Sequence, residues 1–169
     1  MNFRSVATIL FSIVVISISA QLTIPVGDIP VTGQTLSILT IALLQKPKDT
    51  FLVMLGYLVL GALGLPIFAD GASGFEKFTG GSGGFLIGFI FSSTLISYLF
   101  QFIKSKNALV ILLLTLLGTI IILAFGVGRL SMLYGFEKGI EYGFTPFWKG
   151  AILKVIIGSF ITVLIHNQL

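Results

Sequence analysis

A lysine inside an apolar run near the end of the chain is the residue whose position most clearly calls for chemistry. Lys154 lies eight residues after Pro146, in the run over residues 146–165, which places it about 12 Å along a helix. If that run crosses a membrane, an ammonium at this depth costs about 3 kcal/mol, and such residues usually serve a function. Gly150 and Gly158 share its helix face at a spacing of four residues, which leaves room for a cavity. We expect Lys154 to bind an anion; the alternative is a lysine bound to backbone carbonyls.

Small polar residues form a second pattern in the first apolar run. Thr8, Ser12 and Ser19 fall toward one side of a helix, and Thr8 with Ser12 has the small-xxx-small spacing that lets helices approach closely. This stripe fits a docking face for another subunit, and it equally fits packing within the chain.

Residues for catalysis or metal binding are few. His166 is the one histidine, cysteine is absent, and so neither a His-based triad nor a thiolate site is predicted. The predicted helices contain no Asp or Glu for ion coupling, and no phosphate-binding G-x-x-x-x-G-K-[ST] motif occurs. The sequence therefore predicts no enzyme and no cofactor, and the energy for any active transport must come from a partner.

The composition shows what surrounds these residues. Of the 169 residues, 56% are hydrophobic and 9% are charged, with a mean hydropathy of +1.10, whereas soluble domains carry roughly 25% charged residues. Because so few charges cannot cover a water-facing surface, we predict an all-α integral membrane protein with a single domain over residues 1–169. The net charge of +4 is scattered between apolar runs, so the lipid bilayer is an expected partner and nucleic acid is not.

Six apolar runs, separated by Gly, Pro or charge, predict six transmembrane helices. They cover residues 5–20, 35–44, 50–63, 83–102, 108–128 and 146–165. The second and third are short against the roughly 20 residues of a span, so tilt or irregularity is expected there. On local pattern alone, a cleaved signal peptide is an alternative for the first run, because Ser17 and Ser19 precede Ala20 at the spacing of a cleavage site.

The distribution of basic residues predicts that both termini are cytoplasmic. With that orientation the inner segments hold Arg4, Lys46, Lys48, Lys104 and Lys106, and the outer loops hold Lys77, Arg129 and Lys138. We therefore expect a multi-pass protein of the cytoplasmic membrane, with residues 68–84 outside.

A long glycine-rich segment joins the third and fourth predicted helices. It begins near Gly64, ends in the run GGSGG at residues 80–84, and carries Phe68, Phe75 and Phe78. A loop of this length is usually a lid or disordered, and this one is too apolar for a solvated linker. We predict that it dips back into the protein, since glycine permits close backbone approach.

Four blocks of sequence, in order across nearly the whole chain, carry a family resemblance. They are AQLTIP with IPVTGQTL (20–25 and 29–36), YLVLGALGLPIFA (57–69), GGSGGFLIGF (80–89) and PFWKGAILK (146–154). Together they resemble the motifs of the BioY family, the biotin-binding S components of energy-coupling-factor (ECF) vitamin transporters. The match at Ala20 and Gln21 also favours a retained first helix over a cleaved one.

The resemblance implies a six-helix subunit that captures biotin from outside. It also implies partners, namely a transmembrane coupling subunit and two ATP-hydrolysing subunits. Within the matching motifs we expect the substrate-binding residues to be Gln34, Thr35, Phe68, Ser82, Gly83, Gly84, Phe85, Ala151 and Lys154, with Lys154 holding the carboxylate. The stripe of Thr8, Ser12 and Ser19 would then dock the coupling subunit.

Two positions depart from the family pattern. Ala151 stands where the family motif usually has an Asp, an acid that would accept hydrogen bonds from a ureido ring, and Ser82 stands where it usually has Thr. Ser82, Gln34 and Thr35 are candidates for the missing contact. Another small carboxylate vitamin, such as a lipoate-like acid, therefore stays an alternative ligand. A lipid-acting membrane enzyme would lack an acid–base pair, and a structural membrane protein would not explain the buried lysine.

Overall fold

A computed structural model describes residues 3–24, 31–103 and 107–168. The described helices are α1 (Phe3–Gln21), α2 (Gln34–Leu44), α3 (Pro47–Ala62), α4 (Glu76–Thr79), α5 (Gly83–Phe102), α6 (Ala108–Tyr134), α7 (Phe136–Gly143) and α8 (Trp148–His166). A small antiparallel hairpin of β1 (Thr23–Ile24) and β2 (Val31–Thr32) connects α1 to α2, and a 3-10 turn covers Ala69–Gly71.

The fold is mostly helical, as predicted, and a helix lies at each of the six predicted positions. Four of these helices, α1, α5, α6 and α8, are long and apolar enough to cross a membrane, whereas α2 and α3 have 11 and 16 residues. The number of spans therefore stays a prediction. Some residues named in the sequence analysis lie outside the described residues. They are Lys104 and Lys106, which bear on the predicted topology, and residues 25–30 of the first motif.

The predicted end of the fifth run at Gly128 is wrong. Gly128 keeps a helical backbone, and α6 continues to Tyr134, where Gly135 follows with a φ of 92°. Glycine ends helices most readily where it adopts a positive φ, so Gly135 rather than Gly128 is the stop signal. The short helices α4 and α7 and the β1–β2 hairpin were not predicted either.

The short helix α2 lies at the centre of the packing. Gln34 and residues 37–43 are buried, and α2 contacts α1, α5, α6 and α8. A helix that is buried on all sides is a core helix. Its 11 residues extend about 16 Å, roughly half of the ~30 Å hydrocarbon layer, so space is left beyond its N-terminus.

A chain of hydrogen bonds ties α2 and α3 to the segment that follows α3. The Thr32 hydroxyl donates to Gln34 Oε1 at 3.0 Å, Gln34 Nε2 donates to Tyr57 Oη at 2.5 Å, and Tyr57 Oη donates to the Ile67 carbonyl at 2.9 Å. The Tyr57 side chain is fully buried. Since buried polar groups need partners, these hydrogen bonds fix both the Gln34 amide and the segment after α3.

We expect Tyr57→Phe to lower the free energy of unfolding by about 1–3 kcal/mol, because the Ile67 carbonyl and the Gln34 amide lose a buried partner. Thermal unfolding in detergent, followed by circular dichroism, measures the change. The control is Tyr98→Phe, since Tyr98 is an exposed tyrosine on α5. An equal loss in both variants would contradict a special role for the Tyr57 hydroxyl.

Candidate functional site

A cavity of about 280 Å³ lies between the N-terminus of α2, the first half of α5, the start of α8 and the segment of residues 63–82. This segment joins α3 to α5 and is called the cap loop below. The described lining residues are Thr32, Gln34, Thr35, Phe68, Ala69, Asp70, Ala72, Lys77, Ser82, Phe85, Leu86, Phe89, Phe147 and Lys154. The volume is close to the lower end of the ~300–1,000 Å³ typical of small-molecule sites.

The structure brings six of the sequence-predicted substrate residues together in this lining. They are Gln34, Thr35, Phe68, Ser82, Phe85 and Lys154. Gly83, Gly84 and Ala151 are buried but do not line the cavity. A side chain on Gly83 would overlap the Phe78 carbonyl, and one on Gly84 would overlap the Phe125 carbonyl of α6. These two glycines therefore serve the close packing around the start of α5.

Other lining residues were missed by the sequence reasoning. Thr32 and Phe147 lie inside the family motifs IPVTGQTL and PFWKGAILK, so the resemblance could have indicated them. Asp70 and Lys77 belong to the cap loop, and the signal for them was charge within an otherwise apolar segment. Two cations and one acid thus share the described lining.

Lys154 reaches the cavity from α8 and is half-buried. Its Nζ donates to the Thr32 carbonyl at 3.0 Å, which uses one of the three donors of an ammonium. The lysine is therefore bound to a carbonyl, as the second sequence alternative expected, and it also lines the cavity, while anion binding stays a prediction. Thr32 precedes the N-terminus of α2, the end of a helix that carries partial positive charge. Both features favour an anionic group at this end of the cavity.

Two aromatic walls of the cavity rest on glycines of neighbouring helices. The Phe68 ring occupies the place of a side chain on Gly61 of α3, and the Phe85 ring occupies that of a side chain on Gly126 of α6. Phe68 also contacts Tyr57 edge-on, with ring centroids 5.5 Å apart, and Phe85 contacts Phe147 at 5.3 Å. The width of the cavity therefore depends on the missing side chains at Gly61 and Gly126.

Side chains from α1 and α6 anchor the cap loop. Gln21 Nε2 donates to the Phe68 carbonyl at 3.0 Å, and its Oε1 accepts from the Gly71 amide at 2.8 Å. Arg129 donates to the carbonyls of Thr79 and Gly80. Both halves of the cap loop are thereby held over the cavity.

The three predicted docking residues do not share one exposed face. Thr8 is exposed, but Ser12 is buried and accepts a hydrogen bond from Gln45 Nε2. Ser19 lies 2.6 Å from Ser37, oxygen to oxygen, on α2. This placement favours the packing alternative for the two serines, and their docking role stays a prediction.

The fold and the site define a class of protein. The chain is a multi-pass membrane protein, and its apolar helices surround a small cavity under a capping loop, with Lys154 and Lys77 in the lining. The model of the BioY family matches residues 1–169. The chain belongs to the BioY family.

Known proteins resemble the chain over most of its length. The biotin transporter BioY2 of Lactococcus lactis subsp. cremoris is 34% identical over 155 residues, covering 90% of this chain and 85% of that protein. The biotin transporter BioY of Thermotoga maritima is 32% identical over 149 residues, covering 88% and 87%. A crystal structure of the S-component for biotin from an ECF-type ABC transporter superposes with a TM-score of 0.88 at 27% identity, covering 99% of this chain and 94% of that one.

We expect Gly126→Ala to be less stable than Gly128→Ala by about 1–3 kcal/mol. The added methyl group at residue 126 overlaps the Phe85 ring, and overpacking of this kind has that cost. Gly128 is the matched control on the same helix, because a methyl group there meets open space. Thermal unfolding of the two variants in one detergent measures the difference, and equal stability would contradict the packing of Phe85 on Gly126.

We expect Gln21→Ala to loosen the cap loop, because it removes two hydrogen bonds that are each worth about 0.5–1.5 kcal/mol. The chain has no native cysteine, so a single cysteine at Ala69 can report opening by its rate of labelling with a maleimide. A rise of about tenfold is expected. Gln101→Ala, at an exposed glutamine near the end of α5, is the control. An unchanged labelling rate in Gln21→Ala would show that the Gln21 hydrogen bonds do not limit the opening of the cap loop.

Proposed function

We propose that this chain binds biotin in the capped cavity and serves its uptake across the cytoplasmic membrane as the substrate-specific subunit of an ECF-type transporter. The observation that carries the proposal is a cavity lined by aromatic side chains and Lys154, in a chain whose BioY relatives are named biotin transporters. The binding of biotin to the purified protein is the direct test.

The chemistry of biotin matches the lining. Its fused rings and aliphatic chain are largely apolar, and Phe68, Phe85 and Phe147 offer apolar faces to them. Its cyclic urea carries two N–H donors and a carbonyl acceptor. Ser82 and Thr35 of the lining can both donate and accept hydrogen bonds.

Gln34 is the lining residue best placed to donate a hydrogen bond to an acceptor on the ligand. Its side-chain oxygen already accepts from Thr32, and its nitrogen donates one hydrogen to Tyr57. An amide nitrogen has two hydrogens, and the second can serve a ligand oxygen without disturbing the network. Because the network fixes the amide before binding, little orientational freedom is lost when a ligand arrives.

The carboxylate of biotin would bind Lys154. The ammonium lies close to the N-terminus of α2, so the lysine and the positive end of the helix both attract an anion. An ion pair in a site enclosed by apolar side chains is stronger than one in water, because the local dielectric is lower.

Uptake needs partners, because the sequence carries no phosphate-binding motif. We assign this role to a transmembrane coupling subunit and two ATP-hydrolysing subunits. We further propose six spans with both termini cytoplasmic. Five are formed by α1, α3, α5, α6 and α8, and the sixth by the short α2 together with the extended backbone of β2 that precedes it. Gln21 at the end of α1 binds the cap loop, whereas Arg4 lies near the opposite end of the same helix. This arrangement supports a cap loop that faces outside when the basic N-terminus is inside.

We expect Lys154→Met to lose most of its biotin affinity, by about a hundredfold or more, since breaking a buried charge pair costs about 3–5 kcal/mol. Isothermal titration calorimetry on the protein in detergent, with biotin and with biotin amide, measures the change. Biotin amide lacks the negative charge, so it should bind wild type weakly and be nearly indifferent to the substitution.

Lys149→Met is the matched control for this experiment. Lys149 is an exposed lysine on the same helix, with its Nζ 5.5 Å from the centre of the Trp148 ring, and its replacement should leave biotin affinity unchanged. If Lys154→Met binds biotin within about threefold of wild type, the carboxylate is held elsewhere, and Lys77 is the next cation of the lining to test. Tighter binding of lipoate than of biotin by wild type would favour the alternative vitamin that Ala151 suggested.

A further inference from the structure

The cavity contains one acid among its described lining residues, and the site as assigned so far does not use it. Asp70 lies in the 3-10 turn of the cap loop, on the same cavity as Lys77 and Lys154. Within the described lining it forms no ion pair with either lysine. A carboxylate that faces a small-molecule cavity without a cationic partner is available to a donor on the ligand.

The backbone at Asp70 is one that glycine would adopt more easily. Its φ of 56° and ψ of 34° place it in the left-handed region, where it is the one non-glycine residue of the described chain. Asp enters this region more readily than most residues, but glycine does so with no steric cost. A carboxylate at a position suited to glycine points to a use for that carboxylate.

Surrounding hydrogen bonds fix the turn that carries the carboxylate. Gln21 binds the Phe68 carbonyl and the Gly71 amide on either side of it, and the Phe68 amide donates to the Ala72 carbonyl at 3.0 Å. Asp70 Oδ1 accepts from the Thr23 hydroxyl at 2.5 Å. Since an ionised carboxylate offers about four acceptor positions, the second oxygen is available to a ligand, on a turn whose backbone is held by Gln21 whether or not Thr23 is present.

We propose that Asp70 accepts a hydrogen bond from an N–H of the cyclic urea of biotin, an inference that rests on the proposed function. Biotin has an anionic end and an end with N–H donors, and the cavity supplies a cation at Lys154 and an acceptor at Asp70. Asp70 thereby becomes a specificity residue. A vitamin with a carboxylate but no N–H donor, such as lipoate, gains no hydrogen bond from this acceptor, so the acid favours biotin over it.

The test compares three ligands on two variants. Asp70→Gly removes the acceptor and suits the backbone, and Asp70→Asn keeps the shape and a neutral acceptor. We expect Asp70→Gly to weaken biotin and biotin amide alike, by about 10- to 100-fold, and Asp70→Asn by a smaller factor, because hydrogen bonds to charged groups are the stronger ones. Lipoate affinity should stay unchanged or rise. Isothermal titration calorimetry gives the affinities, and thermal unfolding shows that each variant is folded.

Thr23→Val is the matched control, because it removes the hydroxyl that binds Asp70 and leaves the carboxylate in place. If Asp70 only ties the cap loop to β1, Thr23→Val will reproduce the losses of Asp70→Gly. Biotin binding within threefold of wild type in Thr23→Val, together with the ligand-selective loss in Asp70→Gly, supports the proposal. An equal loss for lipoate, or no loss for biotin in Asp70→Gly and Asp70→Asn, overturns it. Failure of wild type to bind biotin would instead overturn the proposed function itself.

Discussion

The shortness of α2 is the constraint on which the site depends. This helix is buried among α1, α5, α6 and α8, yet its 11 residues reach only about halfway across a hydrocarbon layer. The neighbouring helices α5, α6 and α8 are long enough to continue past its N-terminus. The resulting space has helical walls on several sides and the positive end of a helix as its floor, which is how a chain of this size forms a cavity.

Covering that space requires irregular backbone, whose polar groups need partners wherever water is excluded. In the cap loop these partners come from several helices. Gln21 of α1, Tyr57 of α3 and Arg129 of α6 bind its backbone, and the Gly74 amide donates to the Gly61 carbonyl at 2.8 Å. The cap loop is thus a folded part of the site, and side chains that line no cavity decide where its lining residues lie.

The sequence determined the six apolar helices and the cation at Lys154. The structure has a helix at each of the six apolar runs, since hydrophobic pattern is a local property. Lys154 was conspicuous in the sequence because charge within such a run is costly. The family motifs also indicated Gln34, Phe68 and Phe85, all of which line the cavity. The end of α6 was misplaced at Gly128, because sequence does not show which glycine adopts a positive φ.

The tertiary structure decided which of these residues meet. Ala151 was expected at the site and lies outside the lining, whereas Asp70 was not considered and lies within it. Ser12 has the spacing of a docking residue but is buried against Gln45. Each of these outcomes depends on contacts between residues far apart in the chain, such as those of Gln21 with the cap loop. Local sequence pattern determines which residues share one face of a helix, but only the packing of several elements determines which residues contact that face.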